Sequence, residues 1–192
     1  MRDATLILLA ATFGLAACGD QSPLPQNNAT TPGSLPNNAG GGMMAPMGVA
    51  VASLQTADGK PAGTVRVTEE NGTLRVSVEA QGLPPGEHGV HIHMTGKCDA
   101  PTFETAGSHW NPGNKKHGLE NPEGQHAGDM PNLTVGQDGR GTLNYALKGG
   151  TIASLFDEDG AAFVVHALRD DQKTDPSGAS GGRIACGVFR TG

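Results

Sequence analysis

The chain has 192 residues, enough for one compact domain with appendages and too few for two large domains. Gly (30) and Pro (13) supply about a fifth of the residues, which favours turns over long helices and excludes a helical bundle. A formal net charge of −6 and a sequence pI of about 5.6 leave no general basic surface for nucleic-acid phosphates, and seven histidines against three cysteines give the first hint of chemistry.

Residues 6–17 form an apolar run after Arg2, too short to span a bilayer and of signal-peptide length. The run ends in Leu15-Ala16-Ala17-Cys18, which resembles the lipobox of bacterial lipoproteins and implies lipidation at Cys18. An ordinary secretory signal is the alternative, and export to the periplasm, on a lipid anchor in the first case, is expected. Residues 19–47 carry no Lys or Arg, no apolar period and many Asn, Pro and Gly, the composition of a disordered tether. Its reach is roughly 30 Å, enough to hold a domain off a membrane surface. Met43, Met44 and Met47 within it offer thioethers that suit Cu(I), though a plain linker is the simpler reading. Residues 48–192 are left for the folded domain.

That domain reads as strands. Residues 48–55 and 64–68 flank Asp58-Gly59 as a hairpin, and Asn71-Gly72 leads to Leu74, Val76 and Val78 at a period of two. Residues 88–94 resume as one strand, and further strands are expected at 133–135, 142–147, 161–168 and 183–189. About eight short strands with Gly-rich turns predict an all-β, antiparallel Greek-key barrel or sandwich. Residues 95–131 show no sustained period, yet hold three histidines and a cysteine. So long a structureless loop is expected only where function or cross-linking holds it.

His91 and His93 are one residue apart, so on a strand both project from one face and can meet one metal ion. His88, an odd step away, is assigned to packing or hydrogen bonding. Within the loop, His109, His117, His126 and Asp129 supply three imidazoles and one carboxylate, the donor set of a closed tetrahedral zinc site. His166 sits on a late apolar strand, with Val164 on its own face and Val165 on the other.

The segments His88-Gly89-Val90-His91-Ile92-His93, Gly107-Ser108-His109-Trp110-Asn111-Pro112, Lys116-His117-Gly118, His126-Ala127-Gly128-Asp129, Val164-Val165-His166 and Gly181-Gly182-Arg183-Ile184-Ala185-Cys186-Gly187 resemble, in order and spacing, the copper–zinc superoxide dismutases. The resemblance covers residues 48–192. It implies copper on His91, His93, His109 and His166, zinc on His109, His117, His126 and Asp129, and His109 as an imidazolate bridge. Four imidazoles suit Cu(II), while the His and Asp set suits zinc. The implied reaction converts superoxide to O2 and hydrogen peroxide, with His109 carrying a proton. A non-catalytic copper-binding module on the same fold is the alternative.

The resemblance further implies Asp170 as a carboxylate joining a copper ligand to a zinc ligand, with neighbouring Asp171 as the competing register. It implies Arg183 as the guide for the superoxide anion. Lys97, Lys115, Lys116, Lys148 and Lys173 are candidates for steering, although a solvated surface is the better expectation for each. Cys98 and Cys186, the two cysteines of the domain, are expected to form a disulfide in an oxidising compartment, as the family pairs them. Val90, Trp110 and Ala167 depart from common family residues and are not ligands. A homodimer and a monomer are both compatible with the resemblance.

Overall fold

The computed structural model describes residues 48–192. The apolar run, Cys18 and the tether with Met43, Met44 and Met47 lie outside the described residues. Ten strands carry the domain: β1 (Val49–Thr56), β2 (Pro61–Glu70), β3 (Thr73–Ala80), β4 (Gly86–His88), β5 (Val90–His93), β6 (Leu133–Val135), β7 (Gly141–Ala146), β8 (Ala162–His166), β9 (Arg183–Val188) and β10 (Arg190–Thr191). All pairings are antiparallel. The large sheet runs β5-β8-β9-β1-β2-β3-β7, with β10 alongside β1, while β4 and β6 form a separate pair. Sheet neighbours distant in sequence, such as β9 and β1 or β3 and β7, give the crossovers expected of a Greek-key all-β fold.

Two differences from the expected strand set have a clear cause. Residues 88–94 do not form one strand: the chain breaks at Gly89, β4 pairs with β6 and β5 pairs with β8. The Gly89 amide donates to Leu168 and its carbonyl accepts from His166, and a Cβ there would fall 2.8 Å from that of Ser180. The corner is therefore set by tertiary contacts that no local pattern encodes. The second difference is a four-residue helix, α1 (Ile152–Leu155), closed by a capping box between Thr151 and Ser154. No helix among the described residues is long and apolar enough to cross a membrane.

Alternation along the strands fills the core. Val65, Val67, Val76, Val78, Ile92, Leu133, Phe163 and Val165 point inward and are fully buried or nearly so. β5 and β8 are buried on both faces, because the long loop lies over their outer side. Val164, Ala162 and Cys186 on that outer side pack with Phe103 and Ala106 of the loop as a second apolar cluster. The ladder places His91 opposite Val164 and His93 opposite Ala162. The residues left on the outer face, under the loop, thus include His91, His93 and His166.

Candidate metal centre

The loop of residues 95–131 is docked rather than free. Ile92 of β5 donates to Gly128 and accepts from Trp110, and Gly128 in turn donates to Trp110. Isolated bridges pair His93 with His109 and His91 with Asp129. Cys98 and Cys186 form a disulfide with their Cα atoms 5.7 Å apart, tying the loop to β9. Closing 88 residues this way stabilises the fold by about 4 to 5 kcal/mol in the chain-entropy picture.

All seven histidines are buried, six of them gathered beneath this loop. Ligand atoms of His91, His93, His109 and His166 lie within 4.8 Å of one another, and so do those of His91, His109, His117 and Asp129. His126 is close to the second group: its Nδ1 lies 3.3 Å from Asp129 Oδ1 and 3.4 Å from His109 Nδ1. Asp129 Oδ1 also sits 3.0 Å from His109 Nδ1 and 3.2 Å from His117 Nδ1, so three imidazole nitrogens converge on one carboxylate oxygen. Distance alone counts His91 in both groups. The convergence on Asp129 favours His126 over His91 as the fourth member of the second.

Hydrogen bonds at the far nitrogen of each ring fix which nitrogen faces the centre. His93 Nδ1 donates to the Gly107 carbonyl at 2.8 Å and His166 Nδ1 to the Gly181 carbonyl at 3.2 Å. Their Nε2 lone pairs then face each other across 3.4 Å, an arrangement that a bound cation relieves. Asp170 Oδ2 takes His91 Nε2 at 2.7 Å and Oδ1 takes His117 Nε2 at 3.1 Å, so one carboxylate spans both groups. His91 Nδ1 and His109 Nε2 are buried and have no partner. Uncompensated burial of two polar nitrogens is costly, and a metal ion shared by the four imidazoles compensates both. The residues present therefore fit a copper ion beside a zinc ion.

Electrostatics agree. Burial pushes His91, His93 and His109 below the usual imidazole range, and His166 down to about 4, which keeps these ligands neutral. Burial opposes ionisation of Asp129 and Asp170, but hydrogen bonds from the histidines outweigh it and hold both carboxyls well below their ordinary value.

Asp170, not Asp171, is the carboxylate at the centre; Asp171 instead accepts from Thr174 in an exposed turn. Arg183 reaches the cavity over His93, His109 and His166, about 230 Å³ in volume. Its Nη1 donates to the Phe103 carbonyl at 2.7 Å and Nη2 to the Gly107 carbonyl at 2.8 Å, with Glu104 Oε2 3.6 Å away. None of the candidate lysines lines that cavity. Lys116 pairs with Asp175 and Lys173 with Glu120, while Lys115 and Lys148 line a different cavity. His88 stays outside the centre, bonded to the carbonyls of His166 and Pro84.

Sequence reasoning missed the supports. Asn132 clamps Asp170 through both backbone groups, its Oδ1 accepting from Asp170 N at 2.8 Å and its Nδ2 donating to Asp170 O at 2.9 Å. Gly178, at φ 66°, leaves so little room that a Cβ would lie 1.7 Å from Asp170 Oδ1. Neither carries a motif of its own.

The copper/zinc superoxide dismutase (SODC) family model matches residues 61–189. The chain belongs to the copper/zinc superoxide dismutase family. Among its relatives, the superoxide dismutase-like protein YojM of Bacillus subtilis is 38% identical over 192 residues, covering 96% of this chain and 94% of that protein. Superoxide dismutase [Cu-Zn] 2 of Aquifex aeolicus is 46% identical over 145 residues, covering 72% and 85%. The solved Cu/Zn superoxide dismutase of Brucella abortus superposes with a TM-score of 0.61 at 31% identity, covering 74% of this chain and 99% of that one. Copper and zinc are accordingly the cofactors of this superoxide dismutase family member.

Proposed function

We propose that the chain dismutates superoxide, with copper held by His91 Nδ1 and by Nε2 of His93, His109 and His166, and zinc by Nδ1 of His109, His117 and His126 together with Asp129 Oδ1. The observation that carries the reading is the pair of unpartnered buried nitrogens, His91 Nδ1 and His109 Nε2, both within the four-imidazole group. Copper bound there supplies one-electron chemistry, so that one superoxide leaves as O2 and a second as hydrogen peroxide. Arg183, fixed by two carbonyls, presents its guanidinium to the incoming anion. Because the whole chain is acidic, attraction must come from this local cation and the metal charges rather than from net charge. His109 Nε2, when not held by copper, would carry one of the two protons that hydrogen peroxide requires, the second coming from solvent. Asp170 and the carbonyls of Gly107 and Gly181 hold the rings in the tautomers that ligation needs.

A non-catalytic copper-binding module is the second reading, favoured by the relative named superoxide dismutase-like and by Met43, Met44 and Met47. The two differ at Arg183→Ala. An enzyme loses rate and salt dependence with copper content unchanged, whereas equal dismutation by variant and wild type contradicts the assigned role.

We also propose that Cys18 is acylated and tethers the domain to the envelope membrane, protecting the periplasm. The sequence Leu15-Ala16-Ala17-Cys18 supports this. Mass spectrometry of membrane-extracted protein showing lipid on Cys18 is the expected result; an unmodified, freely released chain overturns it.

A further inference from the structure

Two cavities flank His109, and they differ in charge. The one described above presents Arg183 with Glu104 beside it at 3.6 Å, a paired cation and anion. The other, about 360 Å³, is lined by His109, His126, Met94, Asp157 and Asp159 among others, with no Lys or Arg in its wall. Neither aspartate has an ion-pair partner among the described residues. His109, which carries the unpartnered Nε2, lines both cavities. Within the Asp129 group, the side chains of His117 and Asp129 are sealed, His109 is 4% exposed and His126 is 9% exposed. The edge of that group nearest solvent is therefore His126, at the floor of the acidic cavity.

We propose that this cavity is the loading route for zinc: Asp157 and Asp159 capture the divalent cation, and His126 passes it inward to His109, His117 and Asp129. The proposal rests on the zinc assignment above. Unpaired carboxylates at the rim of a low-dielectric cleft raise the local cation concentration and the association rate. Carboxylate and imidazole donors are a sequence of ligands that zinc accepts at each stage. The neighbouring opening, which shares Ser108, His109 and Pro176 with this one, offers a cation only a carboxylate already paired with Arg183, whereas Asp157 and Asp159 are unpaired among the described residues.

The test is the rate of metal uptake by the metal-free full chain. Co(II) serves as probe because its absorption reports tetrahedral binding, and final zinc content is measured on the same preparations. Asp157→Asn/Asp159→Asn should slow the bimolecular step roughly 3- to 10-fold at low ionic strength, with wild type and variant converging at about 0.5 M salt. Final stoichiometry should stay at one zinc per chain. Asp157 Oδ1 accepts from Gly160 N, so the single Asp159→Asn variant, which keeps that turn, must show part of the slowing. A control pair, Glu70→Gln/Glu79→Gln on the outer sheet face, removes the same charge elsewhere and should leave the rate within twofold. Equal rates for wild type and the aspartate variants at full loading overturn the route, and so does equal slowing by the control pair. A wild type that never takes up one zinc overturns the zinc assignment itself, a separate and recognisable failure.

Discussion

Asp170 Oδ2 lies 2.7 Å from His91 Nε2, and neither side chain is exposed to solvent. The same carboxylate reaches His117, so it joins a ring of each half of the centre. Asp170→Asn keeps the shape but removes an acceptor and the charge that fixes both rings. Metal affinity should fall about 10- to 100-fold while the strands remain folded, as read by chelator competition and circular dichroism. Unchanged affinity would show that ring orientation is set elsewhere.

Gly178 supports Asp170 by its lack of a side chain. Gly178→Ala places a Cβ into Asp170 Oδ1 and demands a positive φ, with His117 Nε2 also within 2.7 Å of the new atom. A loss of about 2 kcal/mol is expected, or roughly 4 to 8 °C in Tm, with a larger loss in the metal-loaded protein than in the metal-free one. Equal losses in both forms contradict a positioning role.

The metal-free domain should be most stable near pH 6.5. Burial lowers His91, His93 and His109, and takes His166 to about 4, so below 6.5 the unfolded chain gains protons that the folded domain refuses. Stability then falls as pH drops from 6.5 toward 4, by up to about 1.4 kcal/mol per pH unit for each such proton. His117 runs the other way: burial lowers it, but Asp129 and Asp170 outweigh burial and raise it to about 9. Its contribution is complete below 6.5 and is lost as pH climbs through 9. Urea midpoints at pH 4.5, 6.5 and 9 check the maximum, and a midpoint that rises toward pH 4.5 contradicts it.

Reduction of Cys98–Cys186 should cost stability and rate together. The cross-link holds the segment that carries the Phe103 and Gly107 carbonyls, and those carbonyls orient Arg183 and His93. Cys98→Ser/Cys186→Ser is expected to lose about 4 kcal/mol in urea unfolding and to lower dismutation at full copper content. Wild-type rate in that variant would separate the disulfide from the site.

The legible parts of this chain are those with local periodicity. His91 and His93 share a face because strands alternate, and Val164 and Val165 divide between the outer cluster and the core for the same reason. The strand expected at 133–135 is β6, and the Asn71-Gly72 turn has the positive φ at both positions that its residue pair favours. The break at Gly89 was not readable, since it depends on Leu168, His166 and Ser180, remote in sequence. Asn132, Gly178 and the Gly107 carbonyl support the centre through backbone groups or the absence of a Cβ, and neither leaves a residue pattern. The pairing of Lys116 with Asp175 and of Lys173 with Glu120 likewise depends on where the loops meet.

Superoxide dismutation by the full chain, reconstituted with copper and zinc and with metal content read from the same sample, is the most direct measurement. Rapid dismutation at one copper and one zinc per chain is the predicted result. Full loading of both metals without dismutation would contradict it and make copper storage or transfer the function of this centre.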